Sequence, residues 1–430
     1  MASKTFLYCY EGEKVKSKII KLDINSIGIL LMCVYVFMTY NAVNIFIPSI
    51  YNTLILYVFF IWGVLVALIK TAGKKLTLSS YTAWYAIFMI ASLAIMLYSP
   101  EKRLISGQFY LMIVSLCLTL VFQLFIKNEH TFSRLGWAYA ISSFVLILSL
   151  YLTDNLTANA SNRLGGDIMG NPNIFASMIM VAVLYEIWLF VYGTKRRTTK
   201  LFLIFLLAVN MYALIISAGR KYFVVPFIFF YILLLFKVDK KGKKHIIRYT
   251  VYIGLLATVA YTLIMKIPVF YETIGHRMES FIEGFLGKGQ YDSSASIRKE
   301  MRILALRKWF VRPFWGYGFD SFKYYAQVAV GHFYYSHCNF TELLYNGGII
   351  YFGIYYWIFY KIFKDVFIYK KGQGKYKAFA AAILVSFLVF DYVQVSYSMV
   401  VIQIMIAMAL KCLTFGYKNS TSPEIGVYNL

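Results

Sequence analysis

Long apolar segments set the strongest limit on how this chain can fold. Hydrophobic residues make up 60% of the 430 residues and charged residues only 14%, well below the ~25% usual in soluble proteins. A helix that crosses a bilayer needs about 20 mostly apolar residues, within a range of about 17 to 25. Twelve segments qualify: 24–43, 49–69, 80–98, 105–126, 135–152, 172–193, 200–217, 221–237, 247–265, 340–361, 376–391 and 394–413. We therefore predict an all-α polytopic membrane protein that forms one integral membrane domain, residues 1–430.

The positive charge of the chain predicts its orientation in the membrane. A net charge of +24 in a soluble domain would suggest a nucleic-acid partner. Here 28 of the 43 Lys and Arg fall in loops on one side, while ten of the other 15 lie in residues 266–339. Long loops do not count toward the positive-inside rule, so the short loops divide 28 against 5. We predict a cytoplasmic-membrane protein with cytoplasmic tails, residues 1–23 and 414–430, and no nucleic-acid partner.

The long loop at residues 266–339 is predicted to lie outside the cytoplasm, between helices nine and ten. Ser294 to Phe310 has the pattern of an amphipathic helix, and it places Arg298 and Arg302 four residues apart on one face. Tyr271 to Leu286 predicts a second surface helix. We interpret the loop as part of a site that handles an anion.

Arg220 and Lys221 lie in a tight outer turn between predicted helices seven and eight. An ionised group at membrane depth is costly and is therefore a functional candidate. Guanidinium offers a planar, permanently charged fork that suits phosphate. The competing interpretation is that these side chains reach lipid headgroups, and that Arg298 and Arg302 form a solvated face.

His337 is the best candidate for a general base. An unperturbed imidazole, with a pKa near ~6.5, accepts a proton from a hydroxyl at working pH. The start of predicted helix ten disfavours a cation there and keeps the ring neutral. Asn339 and Glu342 follow closely, and we expect them to hold a sugar hydroxyl or to orient the ring. An incidental interfacial histidine is the alternative.

The segment before predicted helix six contains Arg163, Asn171 and Asn173, which are further candidates for substrate binding. Pro172 suits the first helical turn and Asn171 suits an N-cap, so a well-formed helix start explains the same residues. The sequence contains no metal motif of the HExxH kind and no clustered His and Cys, so no metal or cofactor is predicted. Gly316–Tyr317–Gly318 lacks the strand and the third glycine of a dinucleotide loop.

Several short motifs, taken together, resemble one known family. They are Gly170–Asn171–Pro172–Asn173, Ser217–Ala218–Gly219–Arg220, Ser296–Ile297–Arg298, Pro313 with Gly316–Tyr317–Gly318 and Phe322, and His337–Cys338–Asn339 with Glu342 and Gly347–Gly348. In order and spacing around the long loop they resemble the O-antigen ligase and Wzy-type polysaccharide polymerase superfamily, membrane glycosyltransferases of GT-C type. The resemblance covers about residues 160–362, and the first five helices match only in topology.

The resemblance implies that Arg220 and Arg298 bind the pyrophosphate of an undecaprenyl-pyrophosphate-linked oligosaccharide. It also implies that His337 activates the acceptor hydroxyl without a metal, in an inverting transfer. Cys338 stands where the family often has an asparagine-like residue. The expected partners are the lipid bilayer, and a chain-length regulator and flippase of the same pathway.

Four functions remain to be distinguished. We predict a polymerase that makes capsule, exopolysaccharide or O-antigen, with another lipid-linked repeat unit as acceptor. An O-antigen ligase with lipid A-core as acceptor shares the same central motifs. A lipid-linked oligosaccharide flippase would instead place its charges along a cavity within the helices, and a scaffold would not depend on Arg220 or His337.

Overall fold

The structure is a computed structural model that describes residues 24–42, 48–71, 78–100, 107–156, 164–165, 169, 171–237, 243–286, 293–372 and 374–415. All regular elements in these ranges are helical. They are α1 (Ile24–Asn41), α2 (Ser49–Thr71), α3 (Ser80–Met96), α4 (Gly107–Phe125), α5 (Glu129–Leu152), α6 (Pro172–Trp188), α7 (Arg197–Ile216), α8 (Arg220–Lys237), α9 (Lys243–Lys266), α10 (His276–Phe285), α11 (Ser293–Trp309), α12 (Phe322–Val330), α13 (Asn339–Phe363), α14 (Gly374–Val393) and α15 (Val400–Cys412).

Among the described residues, eight helices are long and apolar enough to cross a membrane: α1, α2, α4, α5, α6 with its extension to Gly193, α7, α9 and α14. The chain is therefore an all-helical protein that is embedded in a membrane and crosses it several times. The other four predicted spans are also helical. Two of them, α3 and α15, are shorter apolar helices. Twelve crossings remain a prediction.

Two helix starts differ from the sequence-based expectation by about six residues, since α5 begins at Glu129 instead of 135 and the last helix begins later than predicted. The last predicted span began at residue 394, after a join formed by Asp391 to Val393. In the structure α14 continues to Val393, and α15 begins only at Val400. In the non-helical residues 394–399, the backbone N–H groups of Ser396 and Tyr397 bond to the Asn339 side chain of another helix.

Helix α6 forms the centre of the bundle, packed against α5, α7 and α8. Every residue from Phe175 to Trp188 is buried, which is the pattern of a helix surrounded on all sides. Glu186 is the only charged residue in that stretch, and it is fully buried. Its Oε1 accepts a hydrogen bond from Asn210 Nδ2 at 2.6 Å, which joins α6 to α7. This bond satisfies one oxygen of the buried carboxyl, while Glu186 Oε2 has no hydrogen-bond partner among the described residues.

The segment between α9 and α13 holds short helices rather than an apolar span. The predicted helix from Ser294 to Phe310 is confirmed as α11, within one residue at each end. The predicted helix from Tyr271 to Leu286 is also confirmed, as a wide turn at Tyr271–Gly275 followed by α10. Buried Met301 and Ala305 of α11 pack with Tyr345 of α13. This contact fixes the arginine-bearing helix against the membrane bundle.

Helix α13 is broken in the middle. Gly348 has φ +68° and ψ −167°, a conformation outside the helical region. The turn at residues 313–318 fills the break with its own backbone. The N–H of Tyr317 donates to Tyr345 O at 2.9 Å and that of Gly318 to Asn346 O at 2.8 Å, while Ile349 N–H donates to Pro313 O at 2.8 Å. The turn therefore supplies the hydrogen bonds that the broken helix cannot make internally.

Candidate functional site

His337 lies on a tight turn that leads into α13. Its φ is +56°, the left-handed region that non-glycine residues adopt rarely and often at functional sites. The turn is held on both sides. Ser336 N–H donates to Glu342 Oε2 at 2.8 Å, and Ser336 Oγ donates to Cys338 O at 2.9 Å. The ring centroid of Tyr335 lies 4.4 Å from that of His337. These contacts of the turn and of Tyr335 fix the position of the imidazole.

Burial is the largest cause that lowers the pKa of His337, followed by the nearby cations Arg298, Lys221 and Arg302, and together they lower it from 6.5 to about 3. The imidazole is therefore neutral at physiological pH, so it carries a free acceptor nitrogen. The three cations come from two separate helices, α8 and α11. We call Lys221, Arg298 and Arg302 the cationic cluster.

The cationic cluster is held by contacts with the end of α14. Lys221 Nζ donates to Gln394 Oε1 and lies 3.4 Å from Val393 O. The Arg302 guanidinium stacks on the Tyr392 ring, with 4.8 Å from Cζ to the centroid, and its Nε donates to Arg298 O at 3.2 Å. Such cation–π and backbone contacts orient the charges and leave them positive. The arrangement is suited to bind an anion next to a neutral imidazole.

Arg220 lies at the start of α8 and joins a different element. Its guanidinium donates a hydrogen bond to the backbone carbonyl of Arg277 in α10. The charge of Lys221, the next residue, contributes to the lowered pKa of His337. The predicted approach of Arg220 to Arg298 and His337 therefore remains a prediction. The interaction between α8 and the histidine is the effect of the Lys221 charge on its pKa.

Asn339 is a completely buried hub. Its Oδ1 accepts from the N–H groups of Ser396 and Tyr397 at 3.0 and 3.1 Å, and its Nδ2 donates to Tyr356 OH and Asp391 Oδ2 at 3.0 and 3.3 Å. These four bonds use the hydrogen-bonding capacity of the amide inside the protein. Asn339 thus holds the start of α13 against the 394–399 loop, and the contact of Glu342 with Ser336 is likewise internal. A substrate role for these two residues remains a prediction.

Asp391 is a residue that sequence reasoning missed. It is fully buried, and its carboxylate accepts from Tyr356 OH at 2.8 Å, from Ser396 Oγ and from Asn339. It therefore anchors the end of α14, next to Tyr392 and Gln394, which position the cationic cluster. A carboxylate at the end of an apolar segment was the available signal.

The other predicted binding residues lie at the start of α6. The Asn171 side chain accepts from Asn173 N–H at 2.8 Å, so its predicted role as the N-cap of α6 is confirmed. Asn173 is partly buried. Leu164 N–H bonds to Ile216 O at 3.4 Å, which places this segment beside the turn that precedes Arg220. Arg163 lies outside the described residues.

An apolar cavity of about 490 Å³ lies between α6, α7, α8 and α9. Val183, Met211, Phe223, Phe227 and Leu263 are among its lining residues. Phe223, one of these residues, is one helical turn from Arg220 on α8. Most side chains of α9 are exposed, so the wall of the cavity that α9 forms lies at the outer surface of the helix bundle. The cavity has the size of a ligand site.

The sequence matches no family model and no curated protein.

Proposed function

We propose that the protein is a polysaccharide polymerase on the outer face of the cytoplasmic membrane. It transfers a glycan from undecaprenyl pyrophosphate to a hydroxyl of another lipid-linked repeat unit. The proposal is supported chiefly by one observation, the neutral His337 surrounded by Lys221, Arg298 and Arg302. The family resemblance of the motifs supplies the substrate class.

The transfer is an inverting displacement. The acceptor oxygen bonds to the anomeric carbon, and the bond from that carbon to the pyrophosphate oxygen breaks. The hydroxyl proton passes to His337, and undecaprenyl pyrophosphate leaves. The cationic cluster stabilises the charge that develops on the leaving group, and such contacts are strongest where water is excluded.

The low pKa of His337 fits this reaction through the charge of the substrate. Burial and three nearby cations make the imidazole a weak base. A bound pyrophosphate places negative charge among the same cations, which offsets their effect and raises the pKa of His337. The base then becomes stronger when the donor substrate is in place.

The apolar cavity between α6 and α9 supports a lipid-linked donor. Its lining is apolar, and it includes Phe223, one helical turn from Arg220. An isoprenoid chain buries its hydrocarbon in such a cavity while the pyrophosphate stays near the helix end. Arg220 and the nearby segment at Asn171 are then the groups closest to the lipid end of the pyrophosphate.

The test uses purified protein in nanodiscs with the lipid-linked repeat unit extracted from cells that lack the protein. We expect a ladder of elongated glycans, with EDTA present. Loss of a general base lowers the rate by about 10²- to 10⁴-fold, so His337→Ala should lower the rate of glycan elongation by that factor. Arg298→Ala should lower the rate of glycan elongation by about 10²- to 10³-fold.

Arg307→Ala is the matched control, since Arg307 lies on the same helix as Arg298 and is exposed. It should retain the wild-type ladder. Full ladders from His337→Ala and Arg298→Ala at normal protein levels would contradict the proposal. A transfer seen only when lipid A-core is added would identify a ligase instead.

A further inference from the structure

The turn that follows α11 carries an exposed apolar patch. Phe310 and Val311 are each 71% exposed, Phe314 is 61% exposed and Trp315 66%. We call these four residues the aromatic turn. Large apolar side chains that lie exposed together on a surface mark an interaction site.

The backbone beneath the aromatic turn is rigid. Trp309 Nε1 donates to Pro313 O at 2.9 Å, and Gly316 N–H donates to Arg312 O at 3.2 Å. The Ile349 N–H of α13 also bonds to Pro313 O. The aromatic side chains are therefore held outward by a fixed turn.

The aromatic turn lies level with the ends of apolar helices. Tyr98, two residues beyond the end of α3, donates its hydroxyl to Trp315 O. Next to it, Leu97 is 86% exposed. Ile349 and Ile350 of α13 are also exposed and begin directly beside Pro313. The patch therefore continues the apolar outer surface of the bundle at the point where α3 ends.

We propose that the aromatic turn inserts into the lipid leaflet at the boundary between headgroups and acyl chains. Aromatic side chains are enriched at that depth, because their rings are partly apolar and tolerate the wet boundary. Arg307 precedes the turn, Arg312 lies within it, and both are exposed, so they are placed to meet lipid phosphates. The insertion fixes the height of α11, and with it Arg298 and Arg302, above the membrane.

The test places a nitroxide spin label on the full-length protein in nanodiscs of phosphatidylethanolamine and phosphatidylglycerol. Phe314→Cys and Val311→Cys are labelled in a background without the native cysteines. Val328→Cys on α12 is the control, since Val328 is 86% exposed and lies in the same segment. The collision rates with oxygen, which concentrates in lipid, and with a water-soluble nickel complex are measured.

We expect the ratio of oxygen to nickel accessibility to be several-fold higher at 314 and 311 than at 328. Ratios at 314 and 311 as low as that of a nitroxide in water would overturn the proposal, whatever the ratio at 328, because the turn would then lie in water. Protection from both reagents at 314 and 311 would also overturn it, because a protein surface would then cover the turn. The experiment measures no activity, so it is independent of the proposed polymerase reaction.

Discussion

At the scale of single residues, the acid–base behaviour of His337 depends on side chains contributed by two other helices. Burial is the largest cause of its lowered pKa, followed by Arg298, Lys221 and Arg302. Removing one cation should therefore raise the pKa without restoring the full value of 6.5. The pKa of an incidental histidine, in contrast, would not respond to substitutions in α11.

We expect Arg298→Ala to raise the pKa of His337 from about 3, because a repulsive charge is lost while burial remains. The measurement is a pH titration of the ¹³Cε1 signal of His337, assigned by its absence in His337→Gln. Arg307→Ala should leave the titration unchanged. A titration near 6.5 in the unmodified protein would refute the arrangement.

The same shift affects stability with a definite sign. Between pH of about 3 and 6.5 the unfolded chain binds a proton at His337 that the folded protein does not. The contribution of this group to the free energy of unfolding is therefore full above pH 6.5 and decreases as the pH falls toward 3. His337→Gln should flatten the dependence of the melting temperature on pH in that window.

Candidate site residues are easier to find in the sequence than the residues that support them. Lys221, Arg298 and His337 are candidates because ionisable side chains are rare in an apolar chain and carry chemistry by themselves. Asp391 and Gln394 act through contacts with residues distant in the chain, and no local pattern reveals such pairs. Asn339 was expected to meet substrate, yet its amide is used fully by Tyr356, Asp391 and the 394–399 loop.

At the scale of elements, α13 is where the apolar pattern was least informative. Residues 340–361 predict one continuous span, and the structure instead has two half-helices joined at Gly348. The break depends on the 313–318 turn, which pairs with the helix from about 30 residues away. Gly347–Gly348 was the local signal, but glycines alone do not show which segment approaches them.

Gly348→Ala should destabilise the protein strongly. Its backbone conformation is strained for other residues, at a cost of about 1–3 kcal/mol. An added Cβ would also lie 2.3 Å from the backbone of Phe314, so the turn must move. The measurement is the melting temperature of the protein in detergent.

Gly353→Ala is the matched control on the same helix. A Cβ added at Gly353 meets nothing within 4 Å, so the change should be neutral or should raise stability by roughly 0.5–1 kcal/mol. Equal melting temperatures for Gly348→Ala and Gly353→Ala would show that the break has no structural role.

At the scale of the whole molecule, the sequence predicted the class of fold well. Apolar length decides whether a segment can cross a bilayer, and all twelve predicted segments contain a helix. Eight of these helices meet the criterion of length and composition among the described residues. Helix α8 does not meet the composition criterion because it carries three charged residues, Arg220, Lys221 and Lys237, within its 18 residues.

The orientation of the molecule is predicted from charge and can be measured directly. In a background without native cysteines, Val328→Cys should react with a membrane-impermeant maleimide on intact cells. Lys195→Cys, in a basic loop, should react only after lysis, because short basic loops stay in the cytoplasm. The reverse pattern would place the cationic cluster on the cytoplasmic side.

The broken helix α13 also has a consequence for how the protein is made. The 313–318 turn precedes α13 in the chain, so the ribosome delivers it before the helix that it completes. The first half of α13 emerges with carbonyls at Tyr345 and Asn346 that bond to this earlier turn. Each half of α13 therefore has a backbone partner in the turn that is already synthesised when that half emerges.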